Sequence, residues 1–420
     1  MQDTDLYRQL LGIQDPWTVV RVAVSLETKR VDIHVGHVDG HQWPCPDCGK
    51  ALPIYDHTEE RQWRHLDTMQ YATYLHARVP RVKCGEHGVK QARVSWAEPK
   101  SRFTALFEAL AIDWLKEASI AAVARRLGTS WSELDGIMQR AVRRGLARRT
   151  PEAPTSIGVD ETSFQKRHEY VTVVSDLEQP RVLHIGDSRG TEPLAAFFMQ
   201  IGPQKCADLR VVAMDMWRPY VRATRDFVPG AEQKIVFDRF HVARQINESV
   251  NHVRKQEHRA LRREGDDRLM RTKFLWLMGP EQRERLGEER QEQFEELRDS
   301  ALKVARAWAM KEAARGLWSY TKRGWAERAW RKWIGWAMRS RLEPMKRAAK
   351  MVRDHLWGIL NAVVHKATNA TSESLNAKIQ KVKGLACGFR NRERFRNAIY
   401  FHCGGLDLYP HGFARPHTEA

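Results

Sequence analysis

Cysteine is scarce, six in 420 residues, too sparse for a disulfide framework in a chain of this size. Three of the six, Cys206, Cys387 and Cys403, lie far apart and read as reduced thiols. Long apolar runs are missing as well. No stretch reaches the roughly 18 residues that span a bilayer, so no membrane partner is expected. Met1 to Asp5 hold no basic segment followed by an apolar one, so no secretory leader is expected either. Acidic charge is in deficit, with 52 Asp and Glu against 70 Lys and Arg, a net charge of +18 and a pI near 9.8. That balance suits a polyanionic partner. A hydrophobic content of 42% allows sizeable cores and more than one domain.

The other three cysteines sit in a pattern. Pro44-Cys45-Pro46-Asp47-Cys48-Gly49-Lys50 and Val82-Lys83-Cys84-Gly85-Glu86-His87-Gly88 carry Cys-x2-Cys and Cys-x2-His. Each follows a strand-like run and contains a turn-forming glycine. Two such turns supply the four N/S donors of a closed tetrahedral site. Cys45, Cys48, Cys84 and His87 are therefore the expected ligands of one structural zinc ion. His57 and His65 are alternatives for the fourth position. Residues 17–24 and 30–35 alternate apolar and polar side chains and predict a hairpin. Together these segments define a zinc-binding N-terminal domain over residues 1–100.

From Phe103 the apolar spacing turns helical. Residues 120–131 read as a helix, a turn at Gly128, an N-cap and a new helix, the signature of a helix-turn-helix. The second helix is expected from about Trp131 to Arg144. Arg140, Arg143 and Arg144 make its far end basic and are candidate DNA contacts; a plain αα-hairpin is the alternative. Residues 101–150 form this domain, and a proline-rich linker over 150–155 closes it.

Beyond the linker, three strand-like runs (156–164, 170–175, 181–186) joined by short loops predict an antiparallel meander. A helix over about 192–201, a strand at 209–214, a helix at 217–227 and a strand at 234–238 imply parallel pairing. This is the ribonuclease H-like order. Residues 151–250 are taken as the first part of that core, 251–360 as an all-helical insertion, and 361–410 as the core's last helix and basic tail. In the insertion, Trp330, Trp333 and Trp336 recur every third residue and are expected on one face of a helix, in an interhelical core; base stacking is the alternative. Residues 281–298 are mixed in charge and read as a solvated face or a partner helix.

Three acids stand out in this α/β region. Asp160 lies in Ile157-Gly158-Val159-Asp160-Glu161, Asp215 ends Val211-Val212-Ala213-Met214, and Glu373 lies in Thr371-Ser372-Glu373-Ser374-Leu375-Asn376. Three carboxylates can hold two Mg2+ ions (or Mn2+) about 3.5–4 Å apart, which activate a nucleophile and stabilise a leaving oxygen in phosphodiester cleavage. Glu161 is the rival of Asp160, but adjacent strand residues point to opposite faces. Asp238 and His241 form Asp-x2-His at a helix start and are expected to order the site; a plain N-cap is the alternative for Asp238. Asn376 and Gln380 share the face of Glu373. Lys378, Lys381, Lys383, Arg390 and Arg392 form a basic rim suited to a nucleic-acid backbone.

The two knuckles, the helix-turn-helix, Val159-Asp160-Glu161, Met214-Asp215-Met216, Phe237-Asp238-Arg239-Phe240-His241-Val242, Ser372-Glu373-Ser374-Leu375-Asn376 and Gly388-Phe389-Arg390-Asn391 occur in a telling order. Over nearly the whole chain, this order resembles the bacterial insertion-sequence transposases of the ISL-three family. The resemblance implies a DDE transposase whose catalytic acids are Asp160, Asp215 and Glu373. It implies binding of terminal inverted repeats, hydrolysis of a strand at each end, and attack of the freed 3′-OH on target DNA. At least a homodimer is implied in the active complex, in the bacterial cytoplasm and associated with the nucleoid. Two other readings compete with it. One is a zinc and helix-turn-helix regulator without catalysis; the other is a structure-selective nuclease of the same fold.

Overall fold

The structure is a computed structural model that describes residues 2–150, 154–165, 169–365 and 370–412. Residues 151–153 of the expected linker lie outside the described residues. The chain divides into two compact units. The first holds the residues up to 149 with 400–402 and the segment from 406 onward; the second holds 150–399 with 403–405.

In the first unit, α1 (Asp3–Leu10) leads to β1 (Trp17–Ser25) and β2 (Arg30–His37), which pair antiparallel as the expected hairpin. Next come β3 (Trp43–Pro44) and β4 (Ala51–Leu52), a short ladder, then β5 (Ile54–Arg64), β6 (Ala72–Cys84) and β7 (Gly88–Gln91). The main sheet runs β1-β2-β6-β5, with β7 on β6 and β2 parallel to β6. Alternate residues Val31, Ile33 and Val35 are buried, as the two-residue period of a strand requires. Trp17 packs edge-on against Trp43 and Trp96, with ring centres 4.8 and 4.9 Å apart.

Three helices follow: α2 (Ala105–Glu117), α3 (Ile120–Leu127) and α4 (Trp131–Arg148). Gly128, with a left-handed φ of 62°, ends α3, a conformation glycine adopts without steric cost. Ser130 and Glu133 close a capping box on α4. Within this unit, backbone bonds join Arg64 at the end of β5 to Arg102 and Thr104 at the start of α2. Residues 406–410, expected with the core, belong here. Arg144 donates to the Leu408 carbonyl, and Arg148 pairs with Asp407 at 2.8 Å.

The second unit opens with the antiparallel meander β8 (Ser156–Gln165), β9 (Glu169–Asp176) and β10 (Arg181–Asp187). Helices α5 (Glu192–Ile201) and α6 (Pro203–Asp208) precede β11 (Val211–Met214). Helices α7 (Arg218–Phe227) and α8 (Ala231–Lys234) precede β12 (Ile235–Phe237). The sheet order is β10-β9-β8-β11-β12, with β11 parallel to both neighbours.

A long α9 (Arg239–Arg263) then starts a helical block. It comprises α10 (Lys273–Leu277), α11 (Pro280–Arg283), α12 (Glu288–Asp299), α13 (Lys303–Gly316), a 3-10 turn (Leu317–Ser319), α14 (Arg323–Arg339), α15 (Glu343–Asp354) and α16 (Leu356–His365). Sheet residues Val159, Met214 and Phe237 share one continuous core with Trp276, Trp330 and Trp333, so the block is built into the sheet's own core. Trp330 and Trp333 are buried as expected, but Trp336 is 40% exposed. Each three-residue step falls about 60° short of a full helical turn, so the third tryptophan rotates outward. The chain closes with α17 (Ala370–Leu385) and α18 (Arg392–Cys403). The residue that would cap α17 lies outside the described residues.

Candidate functional site

In the first unit, Cys45 and Cys48 occupy the β3–β4 turn, while Cys84 and His87 occupy the β6–β7 turn. Their ligand atoms all lie within 4.8 Å of one another. Cys48 Sγ is 3.7 Å from Cys84 Sγ, which is 3.5 Å from His87 Nδ1. An edge near 3.7 Å is that of a tetrahedron with its centre about 2.3 Å from each sulfur, the zinc–thiolate distance. Neither alternative histidine enters the group. The rings of His57 and His37 stack at 5.2 Å, and buried His65 bonds through Nδ1 to Thr104 Oγ1 at 2.9 Å. Burial holds His65 down to a pKa of about 4.

The basic end of α4 divides into inward and outward arginines. Glu108 of α2 is 1% exposed. Arg140 reaches it at 2.6 Å, and Arg144 reaches it at 3.6 Å while also pairing with Glu98. Arg140 and Arg144 thus fasten α4 to α2, and Arg143 is exposed. One cationic feature escaped the sequence reading. A cavity of about 530 Å3 borders Gly128 and Thr129 of the helix-turn-helix and is lined by Arg61, Arg64 and Arg102. These arginines come from β5 and the loop before α2, so no local pattern links them to the turn.

In the second unit, register gathers the acids. Val159, Met214 and Phe237 stand in one row across β8, β11 and β12. One residue further along each strand come Asp160, Asp215 and Asp238. The amide of Asp238 donates to the Met214 carbonyl at 3.1 Å, extending the ladder to this level. Because Val159, Met214 and Phe237 all face the large core, alternation turns the three aspartates to the opposite face. That face carries α17. A Cβ on Gly158 would stand 2.3 Å from Ser372 Oγ, so the missing side chain of Gly158 lets α17 lie on β8. Asn376 of α17 donates to Asp160 Oδ2, Gln380 to Thr162 Oγ1 at 3.1 Å, and Lys383 to the Ser163 carbonyl at 2.7 Å.

The electrostatics tie Glu373 to this row. Burial pushes the Asp160 carboxyl above its usual range, and the Asp238 charge adds to the shift. Burial raises Glu373 too, with Asp238 and Asp160 acting the same way and Arg239 against them. Asp238 has two roles: Oδ1 caps α9 by accepting from the Phe240 amide at 2.9 Å, and Oδ2 lies 3.3 Å from His241 Nδ1. His241 is also 3.9 Å from Asp215, and its pKa is raised first by Asp238. Glu161 lies 3.7 Å from Arg189; burial raises its pKa, and the Asp160 and Asp215 charges add to the shift.

Among the described residues, the cysteine–histidine group is the one set of three or more ligand side chains drawn within 4.8 Å, so the acids face one another across a wider gap. Like charges without a counter-ion repel, and hard oxygen donors of this kind suit a divalent cation. Of the basic rim, Lys378, Lys381 and Arg390 are exposed. Lys383 is tied to Ser163, and Arg392 pairs with Glu169 at 2.9 Å.

A cysteine–histidine group, a helix-turn-helix and an α/β unit with a row of acids are together the equipment of a DNA transposase. Comparison with known proteins is specific on this point. A family described as transposase, of the ISL3 type, matches residues 157–399. The zinc-finger of transposases IS204, IS1001, IS1096 and IS1165 matches 41–87, and the helix-turn-helix domain of transposase family ISL3 matches 92–142. The chain belongs to the ISL3 family of insertion-sequence transposases. It is 27% identical over 353 residues to the transposase for insertion sequence element IS1001 of Bordetella parapertussis, covering 84% of this chain and 86% of that one. It is 27% identical over 427 residues to the transposase for IS1557 of Mycobacterium tuberculosis, covering 93% of each. The helix-turn-helix and zinc-finger modules mark it as DNA-binding and zinc-binding, and no helix among the described residues is long and apolar enough to cross a membrane.

Proposed function

We propose that the second unit is a ribonuclease H-like core in which Asp160, Asp215 and Glu373 are the catalytic acids of a DDE transposase. The observation that carries this reading is the row of Asp160 on β8 with Asp215 and Asp238, one residue past the parallel neighbours β11 and β12 respectively, and the Glu373 helix seated on the same face at Gly158. Asp160, Asp215 and Glu373 would hold two Mg2+ ions, or Mn2+, which supply an activated nucleophile and charge stabilisation at the leaving oxygen. Asn376 orients Asp160 through its amide. Asp238 fixes the start of α9 and, through it, His241 beside Asp215.

The substrate is the terminal inverted repeat of the element. Water adds at the scissile phosphorus as the bond to the 3′-oxygen breaks, leaving a 3′-OH and a 5′-phosphate. The 3′-OH then attacks a target phosphodiester, forming a new P–O bond and releasing the target's own 3′-oxygen. Lys378, Lys381 and Arg390 line the strand's backbone, with Lys383 and Arg392 holding the edges of the site. On the first unit, Arg143 with Arg61 and Arg102 near Gly128 grips phosphates, while Arg140 and Arg144 position α4. Zinc on Cys45, Cys48, Cys84 and His87 holds the two knuckles. Two ends are joined, so the active complex is at least a homodimer, working at the nucleoid in the bacterial cytoplasm.

The test is incubation of the protein with end duplexes and Mg2+, resolving cleaved and joined products. Wild-type protein is expected to give both. Asp160→Asn, Asp215→Asn and Glu373→Gln should give neither while binding ends normally. Cutting without joining would point to a nuclease. Wild-type activity in Asp215→Asn would transfer the second acid's role to Asp238.

A further inference from the structure

We propose that Arg189 binds the strand to be cut, its guanidinium taking the phosphate beside the scissile one; the proposal rests on the acid assignment above. Arg189 stands in the loop between β10 and α5, which holds no other basic residue. The loop is pinned to β9. Ser188 donates its amide to the Tyr170 carbonyl at 3.1 Å, and its own carbonyl accepts from Thr172 Oγ1 at 2.8 Å. Ser188 has a left-handed φ of 73°, a strained conformation of the kind that collects at ligand clamps.

Two aromatic rings hold the side chain. The guanidinium carbon lies 4.9 Å from the centre of the Tyr170 ring and 4.8 Å from that of Trp217. Trp217 is fixed in turn by its indole N–H, which donates to the Arg189 carbonyl at 2.8 Å. Rings cover the faces of a guanidinium and leave its edge, where the N–H donors lie. Among the described residues the ionic neighbour of that edge is Glu161 at 3.7 Å, beyond hydrogen-bonding reach. The fork therefore donates to no described residue. Arg140, Arg144 and Arg148 differ in this respect, since each closes on a carboxylate or a carbonyl. An ordered fork with its donors unused matches the two free oxygens of a phosphodiester. One arginine holds a small free anion poorly, whereas a phosphate on a strand already bound elsewhere arrives at high local concentration.

The location selects the strand at the acids. Trp217 follows Asp215 by two residues, and Glu161 follows Asp160 directly. The Asp160 and Asp215 charges both reach Glu161, so Arg189 stands at the rim of the acid row, on the flank formed by β9 and the start of α7. Lys378 and Lys381 belong to a different element, α17. A strand laid on the acids thus meets cations from two separate elements. Phosphates follow one another every ~3.4 Å of rise along one strand, so while one lies at the acids a neighbour comes within reach of a long arginine. Gripping that neighbour fixes the register of the strand and decides which phosphate meets the acids.

The experiment uses the full-length protein and end duplexes in which one phosphate at a time on the cut strand is replaced by a neutral methylphosphonate. Binding is read in the Asp160→Asn background, where no cutting intervenes, and cutting is read in the otherwise wild-type chain. Neutralising one position beside the scissile phosphate is expected to weaken binding. Arg189→Ala should bind the unmodified duplex roughly 10- to 100-fold less tightly, the scale of hydrogen bonds to a charged group. It should lose sensitivity at that one position and keep it at the others, which a misfolded protein would not do. Its cutting should slow by a similar factor and spread to neighbouring phosphates. Arg189→Lys keeps the charge but not the fork, so it should recover part of the binding and leave the cuts spread. A wild-type pattern of sensitivity in Arg189→Ala overturns the grip, as does the absence of any sensitive position. An Arg189-dependent position in a protein that does not cut supports the grip and counts against the acid assignment alone.

Discussion

A buried carboxylate decides what two arginines of α4 do. Glu108 cannot lie in the interior of the first unit without cationic partners, and Arg140 and Arg144 provide them. Removing one partner from a buried pair leaves an uncompensated charge. Arg140→Ala is expected to destabilise the first unit by about 2–3 kcal/mol, below the full ~3–5 kcal/mol of a broken buried pair because Arg144 remains. Urea unfolding checks this. Arg143→Ala should leave the midpoint unchanged and make end binding less salt-dependent, by about one unit of the log–log slope. His65 sets a pH limit on the same unit. Its folded pKa of about 4 lies below the ordinary 6.5, so between those values the unfolded chain takes up a proton that the folded chain refuses. The stability contributed by neutral His65 is full above pH 6.5 and falls as pH drops toward 4. About 2 kcal/mol should be lost between pH 7 and pH 5. Unfolding midpoints at the two pH values check it, and the difference should shrink in His65→Gln.

At the scale of elements, the seat of α17 on β8 governs the site. A methyl group at Gly158 would meet Ser372 Oγ at 2.3 Å, with Leu177 and Ser175 each at 2.9 Å. In Gly158→Ala, α17 has to move, taking Glu373 and the Asn376 bond to Asp160 with it. A shift of about 1 Å can cost on the order of a hundredfold in rate, whereas overpacking costs roughly 1–3 kcal/mol in stability. Gly158→Ala should therefore lose most cleavage while the protein remains folded and binds ends. Adding Ser372→Ala should recover part of the rate. Full cleavage by Gly158→Ala would show that this seat does not position Glu373. The elements themselves were largely legible. Short loops announced the β8–β10 meander, intervening helices announced parallel β11 and β12, and Gly128 with Ser130 marked the turn between α3 and α4. Pairing partners were not legible. Nothing near Arg140 reveals Glu108, 32 residues earlier, and the basic run therefore looked like a surface for DNA. Asp238 joins the row of Asp160 and Asp215 only through the register of a three-residue strand. Apolar spacing in the helical block shows that its helices pack, but it does not reveal that they pack into the sheet's own core.

At the scale of the molecule, the proposed function divides the metal chemistry between the two units, with the cysteine–histidine group in one and the proposed oxygen donors in the other. A metal that binds only the folded state stabilises the unit that holds it, by RT ln(1 + [L]/Kd). Each unit should then answer to its own ion. Zinc withdrawal, or Cys48→Ser, releases the β3–β4 and β6–β7 turns. Cys45 and Cys84 are buried in the tryptophan core of the first unit, so loss of the ion loosens that core and lowers the first unit's unfolding midpoint. The second unit has no part in the zinc group, and its transition should stay where it was. Mg2+ should act in reverse. The acids begin from a repulsive arrangement, with Asp160 and Glu373 both shifted toward the protonated form by burial and by neighbouring carboxylates. Cation binding relieves that repulsion, and Mg2+ at about 100 times its dissociation constant should add about 2.7 kcal/mol to the second unit. Asp160→Asn removes both a ligand and a buried charge. It should raise the second unit's midpoint without Mg2+ and abolish most of the rise with it. Calorimetric scans with and without Mg2+, before and after zinc chelation, separate the four cases. A Mg2+ response that survives Asp160→Asn in full would move the divalent site away from the strand-end row.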